Sequence, residues 1–211
     1  MNIAIFDIFT KYLVLKQNEV LAKASDQDQL TKINNRRALM DYIENQSLKI
    51  KRYDSVESLA DQMAFTFMDL DNFKFYNDTY GHGTGDYLLQ LFSDFLVKSV
   101  RKVDFVCRYG GDEFVIVFKG IGCEKARELL LKIQNKLAES GHLIPLIEKH
   151  IGHKLDIPEN RKLGFSAGLC SNIDIEEFYD LKKVIDYADK ALYFSKKNRK
   201  GSITLYKDIL Q

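Results

Sequence analysis

Two acidic pairs are the residues of this 211-residue chain whose types and spacing could do chemistry. Asp112 and Glu113 follow Gly110 and Gly111 directly, with Arg108 just before them, and Asp69 and Asp71 close the apolar run Ala64-Phe65-Thr66-Phe67-Met68. Glycines admit positive φ and the close approach of a bulky ligand. Side chains alternate along a strand, so Asp69 and Asp71 share one face with Leu70 opposite, while Asp112 and Glu113 project from opposite faces. If the two strands are neighbours, Asp69 and Asp112 come close together. Paired carboxylates repel unless a cation lies between them or one takes up a proton. A hard, oxygen-seeking divalent ion such as Mg²⁺ fits and keeps positions open for substrate phosphates. The chemistry these residues suit is therefore metal-assisted work on a phosphate ester.

The elements that must position them follow from pattern. Val103 to Phe118 is two apolar runs around Gly-Gly and reads as a hairpin, and Ala64 to Asp71 reads as a buried strand with carboxylates at its exit. Asp28-Gln29-Leu30-Thr31 suits a local side-chain turn. Asn34 or Asn35 can cap a helix from Arg36 to Gln46 or beyond, on which Arg36 and Arg37 read as ordinary surface charges. Asn72 to Tyr80 reads as a short helix with Phe73, Tyr76 and Tyr80 inward and Lys74 near its start, closed by Gly81. Gly81 to Asp86 then opens a longer helix, Tyr87 to Val100; its glycine spacing matches no Walker or dinucleotide loop.

Beyond Phe118, Glu124 to Ser140 is amphipathic. Gly141 to Lys162 is long and mixed, holds both prolines and three of the four histidines, and reads as a solvated insertion. His150-x-x-His153 has no third ligand in view. Leu163 to Leu169 is a strand whose Ser166, Ala167 and Gly168 allow close packing, followed by a helix from Val184 to Lys197 and a last strand, Ile203 to Tyr206. This order implies an α/β domain with a central, largely antiparallel sheet flanked by helices. Ile3 to Ala24 is helical in pattern, either packed on its own domain or a stalk that pairs with a second chain. The expected division is residues 1–27 as stalk or linker and 28–211 as the domain, with the insertion at about 141–162.

Lys and Arg number 31 against 30 Asp and Glu, so no global field draws the chain to nucleic acid or to a membrane surface, and any anion site must be local. Cys107, Cys123 and Cys170 lack metal-ligand spacing, and Cys107 and Cys170, in apparent strands, suit reduced, buried thiols. No stretch has the length of a membrane span and no signal peptide is evident, which points to a cytoplasmic protein or the cytoplasmic part of a membrane-bound sensor.

Gly110-Gly111-Asp112-Glu113-Phe114 resembles the signature of the GGDEF domain, the diguanylate cyclases. The likeness runs from Asp28 to about Tyr206 and includes Asn35-Arg36-Arg37, Asp69-x-Asp71-x-Phe73-Lys74, Asn77-Asp78, Gly81-His82, Gly85-Asp86 and Ala188-Asp189-x-Ala191-Leu192-Tyr193, in order and at compatible spacings. It implies a palm-like nucleotidyl cyclase fold and the condensation of two GTP into cyclic di-GMP with release of pyrophosphate. By resemblance, Asp69, the Leu70 carbonyl and Asp112 hold Mg²⁺, with Mn²⁺ an alternative. Asp112 and Glu113 handle the proton, and Lys74 stabilises the transition state. Asn77, His82 and Asp86, with Phe73 beside them, take guanine, and Lys196 and Lys200 take the outer phosphates. The family has an arginine four residues after the lysine; here Lys200 stands there and Arg199 lies one residue early. Arg101-x-x-Asp104 falls at the offset of an inhibitory site for product. The resemblance further implies a homodimer for activity, compatible with an upstream sensory module. The rival is a catalytically weak module that binds GTP or cyclic di-GMP and regulates a partner.

Overall fold

In a computed structural model, residues 26–53, 62–140 and 143–210 are described, together with residues 9, 11–13 and 16. The expected N-terminal stalk, Ile3 to Ala24, lies outside the described residues apart from those isolated positions, which are helical. The elements are β1 (Asn34–Asn35), α1 (Arg36–Tyr53), β2 (Met63–Asp71), α2 (Phe73–Tyr80), α3 (His82–Ser99), β3 (Phe105–Gly110), β4 (Glu113–Lys119), α4 (Cys123–Ser140), α5 (Leu143–Ile151), β5 (Gly164–Ser171), α6 (Leu181–Asn198) and β6 (Ile203–Leu205).

The strands form one sheet in the order β1-β3-β4-β2-β5-β6. Its centre, β3-β4-β2-β5, is antiparallel, and β1 and β6 add in parallel at the edges. Each face carries its own core. Ala64, Met68 and Leu70 of β2 pack with Phe114, Ile116 and Phe118 of β4 under α3, α4 and α5. Met63, Phe65 and Phe67 face Val115 and Val117 under α1 and α6. This alternation, buried on both sides, is why the strands read as continuous apolar runs. The α/β fold with a largely antiparallel sheet flanked by helices is the one expected; the short edge strand β1, at residues read as a helix cap, is additional.

Local chemistry sets the boundaries. The Asn35 side chain accepts the Ala38 N–H at 3.0 Å to start α1, and Asp180 accepts the Lys183 N–H at 3.2 Å to start α6. Asn72 takes the left-handed conformation, φ 64°, and turns the chain from β2 into α2. Asp28 accepts from both the amide and the hydroxyl of Thr31 at 2.8 Å, closing the expected turn.

Two expectations are corrected. Helix α3 starts at His82 rather than at Tyr87, so Gly83, Gly85 and Asp86 are already helical. The stretch expected as a solvated insertion contains helix α5, with Leu143 and Ile147 buried in the core and His150 stacked on Tyr87, ring centroids 4.0 Å apart. Pro145 sits in its first turn, where a missing N–H costs nothing. Proline and histidine content suggested a loop; apolar residues four apart won.

Candidate active site

The site forms where β2 and the β3–β4 hairpin end together. Seven-residue pairing of β2 with β4 runs from Met63↔Lys119 to Asp69↔Glu113. At the tip the Leu70 N–H donates to the Asp112 carbonyl at 3.2 Å. Gly111 takes φ 52° there, and the Arg108 guanidinium holds the turn by donating to the Gly111 carbonyl at 3.0 Å. Arg108 in turn bonds Asp28 at 2.9 Å, tying the hairpin to the N-terminal turn. Asp69 and Asp112 are thereby brought together, as their spacing in the two strands required.

The Asp69 carboxylate is mostly covered, 13% exposed, and the Lys196 ammonium reaches it from α6 at 2.5 Å. Burial pushes the Asp69 carboxyl up to about 6; Lys196 opposes this, and Asp112 and Asp71 reinforce it. Burial likewise raises Glu113, with Asp189 and Asp112 adding to it against Lys196 and Arg36. Asp71 shares the Asp69 face as expected but serves the scaffold: it accepts the Ser166 hydroxyl at 2.8 Å, and Ser166 accepts the Gly201 N–H at 3.0 Å. Its carboxyl is raised by burial and held partly in check by Ser166 and Lys200. That chain of bonds pins the turn after α6 against the sheet.

A cavity of about 500 Å³ opens over these groups. Of the predicted site residues, Asp69, Leu70, Phe73, Lys74, Asp112, Lys196 and Lys200 line it. Glu113, Asn77, His82 and Asp86 do not, although Asn77 stands behind Phe73. A β-carbon on Gly85 would fall 1.7 Å from the Asn77 amide oxygen and 3.3 Å from the Phe73 ring, so Gly85 is what lets Asn77 lie against α3. His82 and Asp86 are exposed on the first turns of α3. Lys74 is 90% exposed and pairs with Asp78 at 3.4 Å.

Among the described residues, no three His, Cys, Asp or Glu side chains gather as a metal site. Of the expected metal-holding residues, Asp69, Leu70 and Asp112 all line the cavity, with Asp78 as a further carboxylate there that pairs with Lys74. This small, hard oxygen set fits an ion that keeps waters and phosphate oxygens as its other ligands. The Lys196 ammonium against Asp69 marks a position where a positive charge is favoured.

Arg101 and Asp104 lie elsewhere, beside a second cavity of about 550 Å³. Asp104 is buried, its side chain 1% exposed, and accepts from the Arg101 guanidinium at 2.7 Å and from the Lys119 N–H at 3.1 Å. The Arg101 guanidinium also donates to the Lys119 carbonyl at 2.7 Å. This pair fastens the entry to β3.

Sequence reasoning passed over three residues. Arg36, read as an ordinary surface charge, lies over the Tyr109 ring at 4.5 Å and helps offset the charge of Glu113. Asn72 and Arg161 line the cavity over Asp69 and Asp112. Asn72 could have been found from its place between an Asp-x-Asp strand end and a helix. Arg161 had no local signal, because only the tertiary path of residues 152–163 brings it there.

Residues 25–202 match the family described as "Diguanylate cyclase, GGDEF domain". Diguanylate cyclase A of Treponema denticola is 31% identical over 149 residues, covering 70% of this chain and 36% of that protein. Diguanylate cyclase DosC of Escherichia coli is 28% identical over 180 residues, covering 85% and 35%. The chain thus spans about a third of the length of these curated relatives. Among solved structures, the coiled coil and GGDEF domain of DgcB from Caulobacter crescentus, in complex with c-di-GMP, superposes with a TM-score of 0.72 at 20% identity, covering 96% and 97% of the two chains. The active GGEEF domain of a Vibrio cholerae diguanylate cyclase gives 0.63 at 26% identity, covering 82% and 96%.

Proposed function

The chain belongs to the GGDEF family of diguanylate cyclases, and on that footing we propose that it condenses two GTP molecules into cyclic di-GMP, releasing pyrophosphate. The observation that carries the reading is the convergence of Asp69 and Asp112 on one cavity that also gathers Lys74, Lys196 and Lys200. Carboxylates for a cation and ammonium groups for a polyphosphate, in one cleft, suit nucleotidyl transfer, which is mostly positioning and charge neutralisation.

Asp69, Asp112 and the Leu70 carbonyl would hold magnesium or manganese. Bound there, the ion would offset charge on the α-phosphate and help acidify the attacking 3′-hydroxyl. Lys196 would trade its contact with Asp69 for the outer phosphates, with Lys200 beside it, and Lys74 would leave Asp78 to meet charge growing in the transition state. Asp112, with Glu113 next to it, would receive the proton of the hydroxyl. Asn77, His82 and Asp86 would contact guanine, with Phe73 beside the base. The cleft of one chain would take one nucleotide, so the active species would be a two-fold dimer. Arg101, held in place by buried Asp104, would bind product at the second cavity and slow turnover. Upstream of the domain, a sensory module would set the dimer.

Incubation of the purified chain with GTP and Mg²⁺, followed by nucleotide separation, tests this. Cyclic di-GMP formed by the wild type and absent from Asp112→Ala is the expected result. GTP left intact at protein concentrations that drive pairing would refute it, and tight binding without turnover would favour a regulatory module instead.

A further inference from the structure

We infer that Arg161 is a substrate-contacting residue that grips the polyphosphate of the nucleotide from outside the motifs that define the site. The inference rests on the reading of the cavity over Asp69 and Asp112 as a nucleoside triphosphate site and deepens it. Four cationic side chains line that cavity: Lys74, Lys196, Lys200 and Arg161. Lys74 is paired with Asp78 at 3.4 Å and Lys196 with Asp69 at 2.5 Å, and Lys200 acts on buried Asp71. Arg161 has no carboxylate partner among the described residues. Its guanidinium lies 6.0 Å from the centre of the Phe75 ring, a contact that orients the group without neutralising it. It is also the one guanidinium among the described residues lining the cavity. A planar fork can pair two phosphate oxygens at once, which an ammonium cannot.

The segment that carries Arg161 is built to hold it there. The Arg161 N–H bonds the Pro158 carbonyl at 2.8 Å, closing a tight 3-10 turn. Helix α2, which forms one wall of the cavity, and the residue before it then clamp the backbone: the Tyr76 hydroxyl donates to the Arg161 carbonyl at 3.4 Å, and the Asn72 amide donates to the Lys162 carbonyl at 3.0 Å. The Tyr80 hydroxyl adds a third bond, to the Asp156 carbonyl at 2.7 Å. An exposed arginine that served only solubility would need none of this. The segment delivers a guanidinium to the side of the cavity that also carries Lys74.

The test is calorimetric titration of the whole chain with a non-hydrolysable GTP analogue, with pyrophosphate and with guanosine, each in Mg²⁺. Arg161→Ala should weaken the analogue and pyrophosphate by about tenfold or more, leave guanosine unchanged, and leave the thermal midpoint within a degree or two. Arg161→Lys should recover part of the loss, because charge returns without the fork. Equal analogue affinity in wild type and Arg161→Ala would overturn the inference alone. A parallel loss of guanosine binding would also overturn it, by showing a structural role. Failure of the wild type to bind the analogue at all would overturn both this inference and the triphosphate reading beneath it.

Discussion

Gly168→Ala should damage the fold and the site together, and the structure says by how much. Gly168 lies mid-strand in β5, opposite Phe67 of β2 and Thr204 of β6. A β-carbon there would sit 2.1 Å from the Leu192 nitrogen, 2.2 Å from the Ala188 carbonyl oxygen and 2.6 Å from the Ala191 carbonyl carbon. All three are backbone atoms of α6, so no rotamer change relieves the clash. The helix must retreat by more than about 1 Å before the new carbon reaches an ordinary contact distance of ~3.5 Å. Retreat would stretch the Ser195 hydroxyl off the Ala167 carbonyl, now 2.9 Å away, and loosen Ala188 and Leu192 against the sheet. Overpacking of about 1–3 kcal/mol, with a lost hydrogen bond of ~1 kcal/mol, predicts a destabilisation of about 2–4 kcal/mol. Lys196 follows Leu192 by one turn, so the same shift carries its ammonium off Asp69 and should cost turnover on the order of a hundredfold in protein that is still folded. Urea unfolding read by circular dichroism measures the first effect. Gly83→Ala in α3 is the control: its β-carbon meets open space, and helix propensity predicts no loss and a gain of up to ~1 kcal/mol. If Gly168→Ala unfolds at the midpoint of the wild type, the inference that α6 rests its backbone directly on β5 is wrong.

Gly85→Ala should act on the site and spare the fold. The new methyl displaces chiefly the flexible end of Asn77 and asks the Phe73 ring to give by a few tenths of an ångström, so the unfolding free energy should change by less than ~1 kcal/mol, while KM for GTP rises by about tenfold or more as the amide leaves its place; an unchanged KM would remove Asn77 from guanine recognition. Asp28→Asn should cost about 1–2 kcal/mol near neutral pH, because charge-assisted bonding to Arg108 and acceptance from Thr31 are weakened. Burial lifts the Asp28 carboxyl, but Thr31 and Arg108 outweigh it and leave it below its ordinary value of 3.8. A depressed carboxyl contributes stability that is complete above 3.8 and fades as pH falls through the lowered folded value. Wild type and variant should therefore differ at pH 7 and converge in acid; a constant gap between the two unfolding curves would show that the charge is not what stabilises the turn.

The part of this molecule that sequence carries well is what local pattern encodes. Gly-Gly between apolar runs gave the hairpin, and Asp-x-Asp at a strand exit gave the facing carboxylates. The small residues of β5 gave the close approach of α6 that Gly168 makes. What failed was non-local or mixed in signal. Gly81 to Asp86 looked like the approach to a helix beginning at Tyr87, yet the helix accepts Gly83 and Gly85 and starts at His82. Helix α5 hid behind a proline and three histidines, although Leu143 and Ile147 are buried in the core. Arg36 over Tyr109 and Arg161 beside Phe75 join residues about 70 and 85 positions apart in the chain, a relation that no window of sequence contains.

The placement of Asp69 shows why the site is built at a strand end. Alternation puts Met63, Phe65 and Phe67 into the α1–α6 core and forces Asp69, the next residue on that face, to the core's edge. A one-residue slip of β2 would turn this whole set to the other face. Pairing on both sides, Asp69 with Glu113 and with Ser166, prevents it. Burial then makes the ionised carboxylate costly and lifts it to about 6, even with Lys196 in contact. Desolvation is the main cause of that rise, and Asp112 beside Asp69 adds a smaller repulsion. The residual negative field is the property a divalent cation and its polyphosphate would satisfy, and it follows from the same alternation that packs the core.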